Sequence, residues 1–353
     1  MHIAPSALES AQPPRSPDRG TVAPVRGRRP RRLRSLLASV AVVAVVSASG
    51  VMVAANHQVD RIARIPGLGA VLSPSSANVE NFLLVGSDSR EGIDPNSPDY
   101  GGIGGTADVS GHRSDTIMVL RRSRSGGPAS LLSIPRDLWV EIAGTGKKSR
   151  INSAYQAGPA ALIQTVQTAL GLPIHHYVEI DFQGFKSLVD AIGGVQVCFD
   201  APARDEHTGL YIAEPGCYVL GGVQGLAYAR SRYYETYVND TWVRDGTSDL
   251  GRIKRQQQFI NTAMQAAVAS VKGNPLRTGD VLRASTGAVR FDDQLDVLGT
   301  AASLRGAVAG GLAPFSLPVV GKTIGGNAVL LLGDGAQAYL DYFSGVSNAP
   351  PAS

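Results

Sequence analysis

From residue 81 onwards, short apolar runs bounded by polar residues recur along the chain, each with the length of a β-strand. They predict strands at 81–88, 115–121, 129–134, 176–180, 195–199, 315–320 and 329–332. Between them, apolar residues recur with a helical period and predict helices at 153–170, 182–192, 223–229, 250–271, 295–309 and 336–343. Strands that alternate with helices favour an α/β fold, and we expect a three-layer α-β-α sandwich with a mixed central sheet.

A longer apolar run precedes the first strand. Leu36–Ala55 contains 20 residues and no charge, and a helix of that length spans ~30 Å, the hydrocarbon core of a bilayer. Arginines cluster on its N-terminal side, so the positive-inside rule predicts a cytoplasmic N-terminus and an extracytoplasmic remainder. A cleaved signal peptide is the alternative, because Ala54-Ala55 suits cleavage, but its apolar region usually has only ~7–15 residues.

These patterns divide the chain into five parts. Residues 1–34 form a disordered basic tail, 35–55 a transmembrane helix, 56–80 a juxtamembrane stalk that includes a short amphipathic helix, 81–346 one folded domain, and 347–353 a C-terminal tail. No internal repeat and no second change of composition separate a further domain from the folded part. We therefore expect one catalytic or binding domain outside the cytoplasmic membrane.

The net charge of +4 is unevenly distributed. Residues 1–34 hold eight arginines against Glu9 and Asp18, a charge of +6, so the rest of the chain carries −2. A nucleic-acid-binding domain needs cations clustered on its folded surface, and this distribution argues against one. The six histidines also lack the spacings of metal sites.

The chain has two cysteines, Cys198 and Cys217, each within a strand-like segment. Outside the cytoplasm, where conditions are oxidising, a disulfide between them is expected. Two unpaired buried thiols are the less favoured alternative.

Arginines and aspartates recur at the ends of predicted strands, where open α/β sheets place their ligand sites. Asp88 closes the strand NFLLVGSD, Arg113 and Asp115 open the next one, and Arg136 with Asp137 follows LLSIP. A lone arginine of this kind usually forms only a solvated ion pair. Several together predict a shared anion site.

Two further segments add to this set. Arg230 and Arg232 lie two residues apart, and in an extended segment their side chains would point the same way. On the helix that starts near Asp249, a helical count places Asp249, Arg252 and Gln256 along the edge of the apolar stripe, with Arg255 turned away towards solvent. Arginines that bind phosphate oxygens, beside carboxylates that prefer a hard divalent ion, predict a pyrophosphate site with Mg²⁺.

The chain resembles the LytR-CpsA-Psr family over roughly residues 81–272. The matching segments are NFLLVGSDSR (81–90), HRSDTIMVL (112–120), LLSIPRDLWVEI (131–142), SRINSAYQAGPAALIQTVQ (149–167), HHYVEIDFQGFKSLVDAIGGVQV (175–197), LGGVQGLAYARSR (220–232) and DLGRIKRQQQF (249–259). Two stretches, 91–111 and 233–248, are longer than we expect for the shortest members of the family, which leaves substrate preference open.

The resemblance implies a membrane-anchored extracytoplasmic transferase that moves a glycopolymer from a polyprenyl-pyrophosphate carrier to a peptidoglycan hydroxyl. The tail, anchor and cysteine pair are similar to actinobacterial members, where the polymer is commonly arabinogalactan. The resemblance further implies that two aspartates bind Mg²⁺, with Mn²⁺ as an alternative, and that six side chains bind the pyrophosphate. The aspartates are Asp88 and Asp115, and the six are Arg113, Arg136, Arg230, Arg232, Arg252 and Gln256.

The expected catalytic set is Asp88, Arg113, Asp115, Arg136 and Asp249, with Asp249 or Asp88 as the base for the acceptor hydroxyl. The expected partners are the lipid-linked glycan donor, peptidoglycan and the bilayer, without nucleic acid. Three other functions remain open at this stage: a pyrophosphatase that releases the carrier to water, a non-catalytic wall-binding or attenuator protein, and a purely structural membrane-tethered domain.

Overall fold

A seven-stranded mixed sheet forms the centre of the computed structural model, which describes residues 61–76, 78–88, 114–247, 249–273 and 289–351. The strands are β1 (Ala63–Ile65), β2 (Val79–Ser87), β3 (Ser114–Ser123), β4 (Ser130–Ile134), β5 (Trp139–Ile142), β6 (Lys147–Arg150), β7 (His176–Ile180), β8 (Val195–Phe199), β9 (Ala203–Asp205), β10 (Leu210–Ile212), β11 (Gly216–Leu220), β12 (Glu235–Val238), β13 (Thr241–Arg244), β14 (Val289–Asp292), β15 (Ala313–Ser316), β16 (Val319–Ile324) and β17 (Asn327–Leu332). The α-helices are α1 (Pro159–Leu170), α2 (Phe182–Ala191), α3 (Gly222–Arg230), α4 (Asp249–Gly273), α5 (Val297–Val308) and α6 (Ala336–Ser344).

The central sheet has the strand order β1-β14-β7-β2-β3-β4-β15. Strand β2 is antiparallel to β3 and parallel to β7, which confirms the mixed sheet predicted from the sequence. Successive side chains on β2, β3 and β4 point to opposite faces of the sheet, and both faces are buried. One face, with Leu83 and Ile117, packs against α1 and α6, and the other, with Phe82 and Met118, packs against α4 and α5. Helices therefore cover both faces, as the alternating pattern indicated.

A second hydrophobic cluster lies beside the sheet. It joins α2, α3 and the central part of α4 to β8, β9 and β10, with Phe259 of α4 almost fully buried. The antiparallel strands β8 and β11 place Cys198 directly opposite Cys217, and the two are joined by a disulfide bond. The disulfide therefore fastens β8 to β11, the strand that leads into α3, on which part of the site described below depends.

Three segments differ from the sequence predictions. The helix predicted at 153–170 divides at Gly158, whose φ of 100° ends the 3₁₀ helix Ile151–Ala157 before α1 begins. The strand predicted at 315–320 divides into β15 and β16, which belong to different sheets, because Pro318 donates no ladder hydrogen bond. Residues 63–65, placed in the stalk by the sequence, form the edge strand β1, paired with β14.

The first parts of the chain lie outside the described residues. These include the predicted tail at 1–34 and the predicted transmembrane helix at 35–55. Across the ranges described from residue 61 onwards, no helix combines the length and apolar character needed to cross a bilayer.

Candidate functional site

A narrow cleft lies where β3 and β4 meet the first turns of α4. Its empty volume is about 210 Å³, including its open mouth. Three of the residues predicted for the anion site line it: Arg136 from the segment after β4, and Arg252 and Gln256 from α4. The remaining lining residues are Thr116, Ile117, Met118, Ser133, Ile134 and Ile253. The cleft thus lies between two walls. The strand-end wall is formed by the ends of β2, β3 and β4 and the residues that follow them, and the helical wall by the first turns of α4 and the segment before it.

The strand-end wall carries the two predicted metal ligands. Asp88 directly follows β2, and Asp115 lies near the start of the antiparallel neighbour β3. The pairing runs from Gly86 opposite Thr116 to Ser87 opposite Ser114, so Asp115 is the extra residue of a β-bulge. Such bulges re-aim side chains at the ends of sheets. The backbone therefore brings both aspartates to one end of adjacent strands, while the side chain of Asp115 and the whole of Arg113 lie outside the described residues.

Gln256 connects the two walls by hydrogen bonds. Its Nε2 donates to Thr116 Oγ1 on β3 and to the backbone oxygen of Ala229 on α3, both at 3.0 Å. One buried amide thus connects α4, α3 and the sheet, and Thr116 joins the site although the sequence did not single it out.

Asp249 and two arginines form the outer part of the helical wall. Asp249 Oδ1 lies 3.0 Å from Arg252 Nη2 and 3.1 Å from Arg232 Nε. Arg252 is only 4% exposed, so this carboxylate holds a buried guanidinium and a half-exposed one side by side. Asp249, at the first turn of α4, also lies where the helix dipole favours a negative charge.

Arg136 belongs to a second charged group. Its Nε lies 3.6 Å from Asp137 Oδ2, and Asp137 Oδ1 lies 3.4 Å from Arg150 Nε. The carboxylate orients two arginines here as well, but the pairs are looser and partly exposed.

The expectation that Arg230 and Arg232 share one extended segment was wrong. Arg230 is the last residue of α3, and the chain leaves the helix at Ser231. Arg230 stacks over the ring of Phe182 at 4.6 Å, while Arg232 pairs with Asp249. The two guanidinium groups therefore reach different elements, because the helix continues one residue further than its apolar pattern indicated.

The prediction that Arg255 faces solvent was also wrong. It is 8% exposed, donates to Asp245 Oδ2 and to the backbone oxygen of Ser231, both at 2.9 Å, and stacks over Tyr234. Burial alone would raise the pKa of Asp245, but hydrogen bonds from Thr247 and Arg255 outweigh it and lower that pKa. The helical count assumed one buried face, whereas residues 231–247 fold back over the other face of α4.

Asp205 is a site residue that the sequence reading missed. Its side chain is fully buried at the end of β9. Oδ2 accepts hydrogen bonds from Ser231 Oγ at 2.7 Å, from the Arg232 backbone N–H at 3.0 Å and from the Tyr233 backbone N–H at 2.8 Å. This carboxylate thus fixes the backbone of the segment that carries Arg232. In the sequence it is one of two adjacent acids in the polar stretch ARDEHTG, and nothing there indicates burial.

Comparisons with known proteins give a consistent picture. The LytR_cpsA_psr family model matches residues 42–339. The chain is 36% identical to "Probable cell wall biosynthesis protein LcpB" of Corynebacterium glutamicum over 68% of this chain and 54% of LcpB. It is 36% identical to "Polyisoprenyl-teichoic acid--peptidoglycan teichoic acid transferase TagU" of Halalkalibacterium halodurans over 58% of this chain and 62% of that protein. The matches therefore span less than two thirds of either relative.

A solved structure shares the fold. The "LytR-Csp2A-Psr enzyme from Actinomyces oris" superposes with a TM-score of 0.60 over 80% of this chain and 96% of that one, at 24% identity.

Proposed function

The chain belongs to the LytR_cpsA_psr family, and from that premise we propose that it transfers a glycopolymer, as a glycosyl phosphate, from a polyprenyl-pyrophosphate carrier to a peptidoglycan sugar hydroxyl. The observation that carries the proposal is the cleft, in which Arg136 from the sheet and Arg252 from α4 line one small volume. The printed name of the relative TagU, a peptidoglycan teichoic acid transferase, supports the same reaction class.

The arginines suit the chemistry of a pyrophosphate linkage. A sugar joined to its carrier through pyrophosphate is already activated, so the enzyme has to position the two phosphates and stabilise the charge of the departing polyprenyl phosphate. In this proposal Arg252 and Arg136 contact phosphate oxygens inside the cleft, and Arg230 and Arg232 bind from its rim. Gln256 keeps the helical and strand walls at a fixed separation through its bonds to Thr116 and Ala229.

The backbone positions of Asp88 and Asp115 fit a hard divalent ion. Aspartates at these two backbone positions would supply oxygen ligands only, the kind that Mg²⁺ accepts together with substrate phosphates and water. Among the residues whose side chains are described, no group of three acids, histidines or cysteines is placed to hold a metal ion. When bound, Mg²⁺ or Mn²⁺ would neutralise phosphoryl charge.

Of the two candidate bases, we propose Asp88. Asp249 bridges Arg232 and Arg252, and it is better suited to orient these arginines than to accept a proton. Asp88 lies at the strand-end wall, where the acceptor hydroxyl would approach the bound phosphate.

We place this reaction outside the cytoplasm, with residues 35–55 as the anchor. The Cys198–Cys217 disulfide supports that location, because disulfides persist in oxidising compartments. The proposed polymer is arabinogalactan, a choice that rests on the resemblance to actinobacterial members of the family, while the printed name of the Corynebacterium glutamicum relative supports cell wall biosynthesis in general.

Transfer of a labelled polyprenyl-pyrophosphate glycan to peptidoglycan by the full chain in detergent tests the proposal. The wild-type chain should produce label linked to peptidoglycan through a phosphodiester, and Arg252→Ala should lose most of this activity. Lys254→Ala is the matched control, because Lys254 is an exposed cation on the same helix.

Two other outcomes of this assay would each indicate a different function. Glycan phosphate released equally with and without peptidoglycan would indicate a pyrophosphatase. Binding of the donor without turnover under any divalent ion would indicate a wall-binding protein.

A further inference from the structure

A small four-stranded sheet, ordered β10-β9-β12-β13, includes most of the segment between Arg232 and Asp249. Its strands bring four residues into one row, in which Tyr211 lies opposite Arg204, Arg204 opposite Glu235, and Glu235 opposite Arg244. On the same side of the β12–β13 hairpin, two positions further along, Tyr237 lies opposite Trp242. Because side chains two residues apart on a strand share a face, all six side chains project from the same side of the sheet.

The two sides of this sheet differ in chemistry. The side just described, here called the aromatic face, consists of Tyr211, Arg204, Glu235, Tyr237, Trp242 and Arg244, and Tyr211 is 64% exposed. On the other side, β9 and β10 bury Ala203 and Leu210 in the second hydrophobic cluster. The exposed aliphatic residues of the hairpin, Val238 and Val243, also lie on that other side. The aromatic face thus carries rings and hydrogen-bonding groups, and no aliphatic side chain.

Contacts within the aromatic face hold its side chains in place. The Arg204 guanidinium lies 4.3 Å from the centroid of the Trp242 ring, and its Nε donates to Glu235 Oε2 at 2.7 Å. The ring of Tyr237 contacts that of Trp242, with their centroids 5.3 Å apart. Rings that are already ordered lose little conformational entropy when a ligand binds.

The aromatic face is connected to the cleft through β9. Arg204 and Asp205 are neighbours on this strand and point to opposite sides. Arg204 lies at the centre of the aromatic face, while Asp205 holds the backbone of Arg232 and Tyr233. Directly after β13, Asp245 accepts a hydrogen bond from Arg255 of α4. A ligand that spans both places would therefore contact one rigid unit.

We propose that the aromatic face binds the sugar chain of the polymer whose pyrophosphate occupies the cleft. This inference rests on the proposed function, which requires a glycan to extend from the bound phosphates. Flat rings stack on the apolar faces of sugars, and Arg204, Arg244 and Glu235 offer donors and acceptors to hydroxyl groups. A protein or lipid partner would instead be expected on the side that exposes Val238 and Val243.

Calorimetric titration of the full chain in detergent tests the proposal with three soluble probes: an arabinan fragment, a galactan fragment and an N-acetylglucosamine tetramer. At least one should bind, and Tyr237→Ala and Trp242→Ala should each weaken that binding about five- to tenfold. Tyr211→Ala provides a second test at a more exposed site. Val243→Ser, on the other side of the same hairpin, is the matched control and should bind like wild type.

The chain has two tryptophans, so the variant Trp139→Phe leaves Trp242 as the sole indole reporter. Its fluorescence should change on addition of the binding probe and stay constant on addition of anionic phospholipid vesicles. Lys254→Ala, which changes an exposed cation on α4 away from the hairpin, should bind the sugar probe like wild type.

These assays separate the inference from the proposed function. Lack of binding to all three probes, unchanged affinity in the folded ring variants, or a Trp242 response to vesicles alone would overturn the sugar-binding face even if polymer transfer were demonstrated. Sugar binding that persists in a chain without transferase activity would support the aromatic face and contradict the proposed reaction.

Discussion

The two walls of the cleft are built by different forces. The strand-end wall, with Asp88 and Arg136, follows strands whose backbone is held by the hydrogen-bond ladder of β2, β3 and β4, which is regular up to the bulge at Asp115. The helical wall, with Arg232 and Arg252, is held by buried side chains, above all Asp205 and Arg255. A ladder tolerates the loss of one side chain, whereas a buried polar network leaves several groups unsatisfied when one member is removed. The helical wall should therefore be the more sensitive to single substitutions.

The largest expected effect concerns Asp205. Asp205→Ala removes the acceptor for Ser231 Oγ and for three backbone N–H groups, and we expect the free energy of unfolding to fall by about 3–5 kcal/mol. Asp137→Ala is the matched change on the strand-end wall. Its pairs with Arg136 and Arg150 are partly exposed, so about 1 kcal/mol or less should be lost. Urea denaturation measures both, and equal losses would refute the contrast between the walls.

Arg255→Ala is expected to have the next largest effect. It removes the arginine donor to Asp245 Oδ2 and to the Ser231 carbonyl, and it removes the cation that stacks on Tyr234. We expect a loss of about 2–3 kcal/mol in the free energy of unfolding. The exposed neighbour Lys254, replaced by alanine, should have little effect in the same experiment. If the two variants unfolded alike, Arg255 would not support the helical wall.

Arg136 and Arg252 allow the walls to be compared by activity. Each substitution by alanine removes one charge-assisted contact worth about 1.5–3 kcal/mol, so kcat/KM for glycopolymer transfer should fall roughly 10- to 150-fold. Arg252→Ala should also lower stability, because it removes one of the two arginines paired with Asp249. Arg136→Ala should leave the melting temperature nearly unchanged. If Arg136→Ala lowered the melting temperature as much as Arg252→Ala, the two walls would not differ in their sensitivity to substitution.

A charged cluster in the central sheet gives a pH-dependent test. Burial alone would lower the pKa of His176, but its contacts with Asp292 and Glu80 raise it to about 9 from the ordinary value of 6.5. Because the pKa is higher in the folded state, this stabilisation is complete below pH 6.5 and is lost as the pH rises to about 9. We expect the free energy of unfolding to decline over that range, and His176→Gln to reduce the decline. If the free energy of unfolding changed with pH in the same way in wild type and in His176→Gln, the decline would not arise from His176.

The smallest expected effect is that of Thr116→Val on the strand-end wall. The substitution keeps the shape of the side chain and removes only the hydrogen bond with Gln256, so the free energy of unfolding should fall by about 0.5–1 kcal/mol. The β3 ladder should keep the strand in place, which amide hydrogen exchange across β3 would show. Loss of protection throughout β3 would mean that this wall also depends on single side chains.

The two walls also differed in how far the sequence predicted them. The strands at 81–88, 115–121 and 129–134 were predicted with small boundary errors, because each is a strongly apolar run in the centre of a sheet. The strands β9, β12 and β13 have only three or four residues, and β12 and β13 expose side chains on both sides, so no apolar pattern identifies them. Asp205 and Arg255 were missed or misplaced for a related reason. Their burial depends on residues 231–247 folding back onto α4, which local periodicity does not report.

The pairing of β1 with β14 sets an order of events during synthesis. Ala63 pairs with Arg290, so more than 200 residues must follow β1 before its partner exists. At ordinary elongation rates, this strand waits roughly 10–45 s for its hydrogen-bond partner. An unpaired strand exposed for that time is a site for association between nascent chains, and natural proteins limit this risk with short strands that carry charge. β1 has three residues, and its central residue, Arg64, binds the Asp292 and Leu295 carbonyls once the sheet is complete.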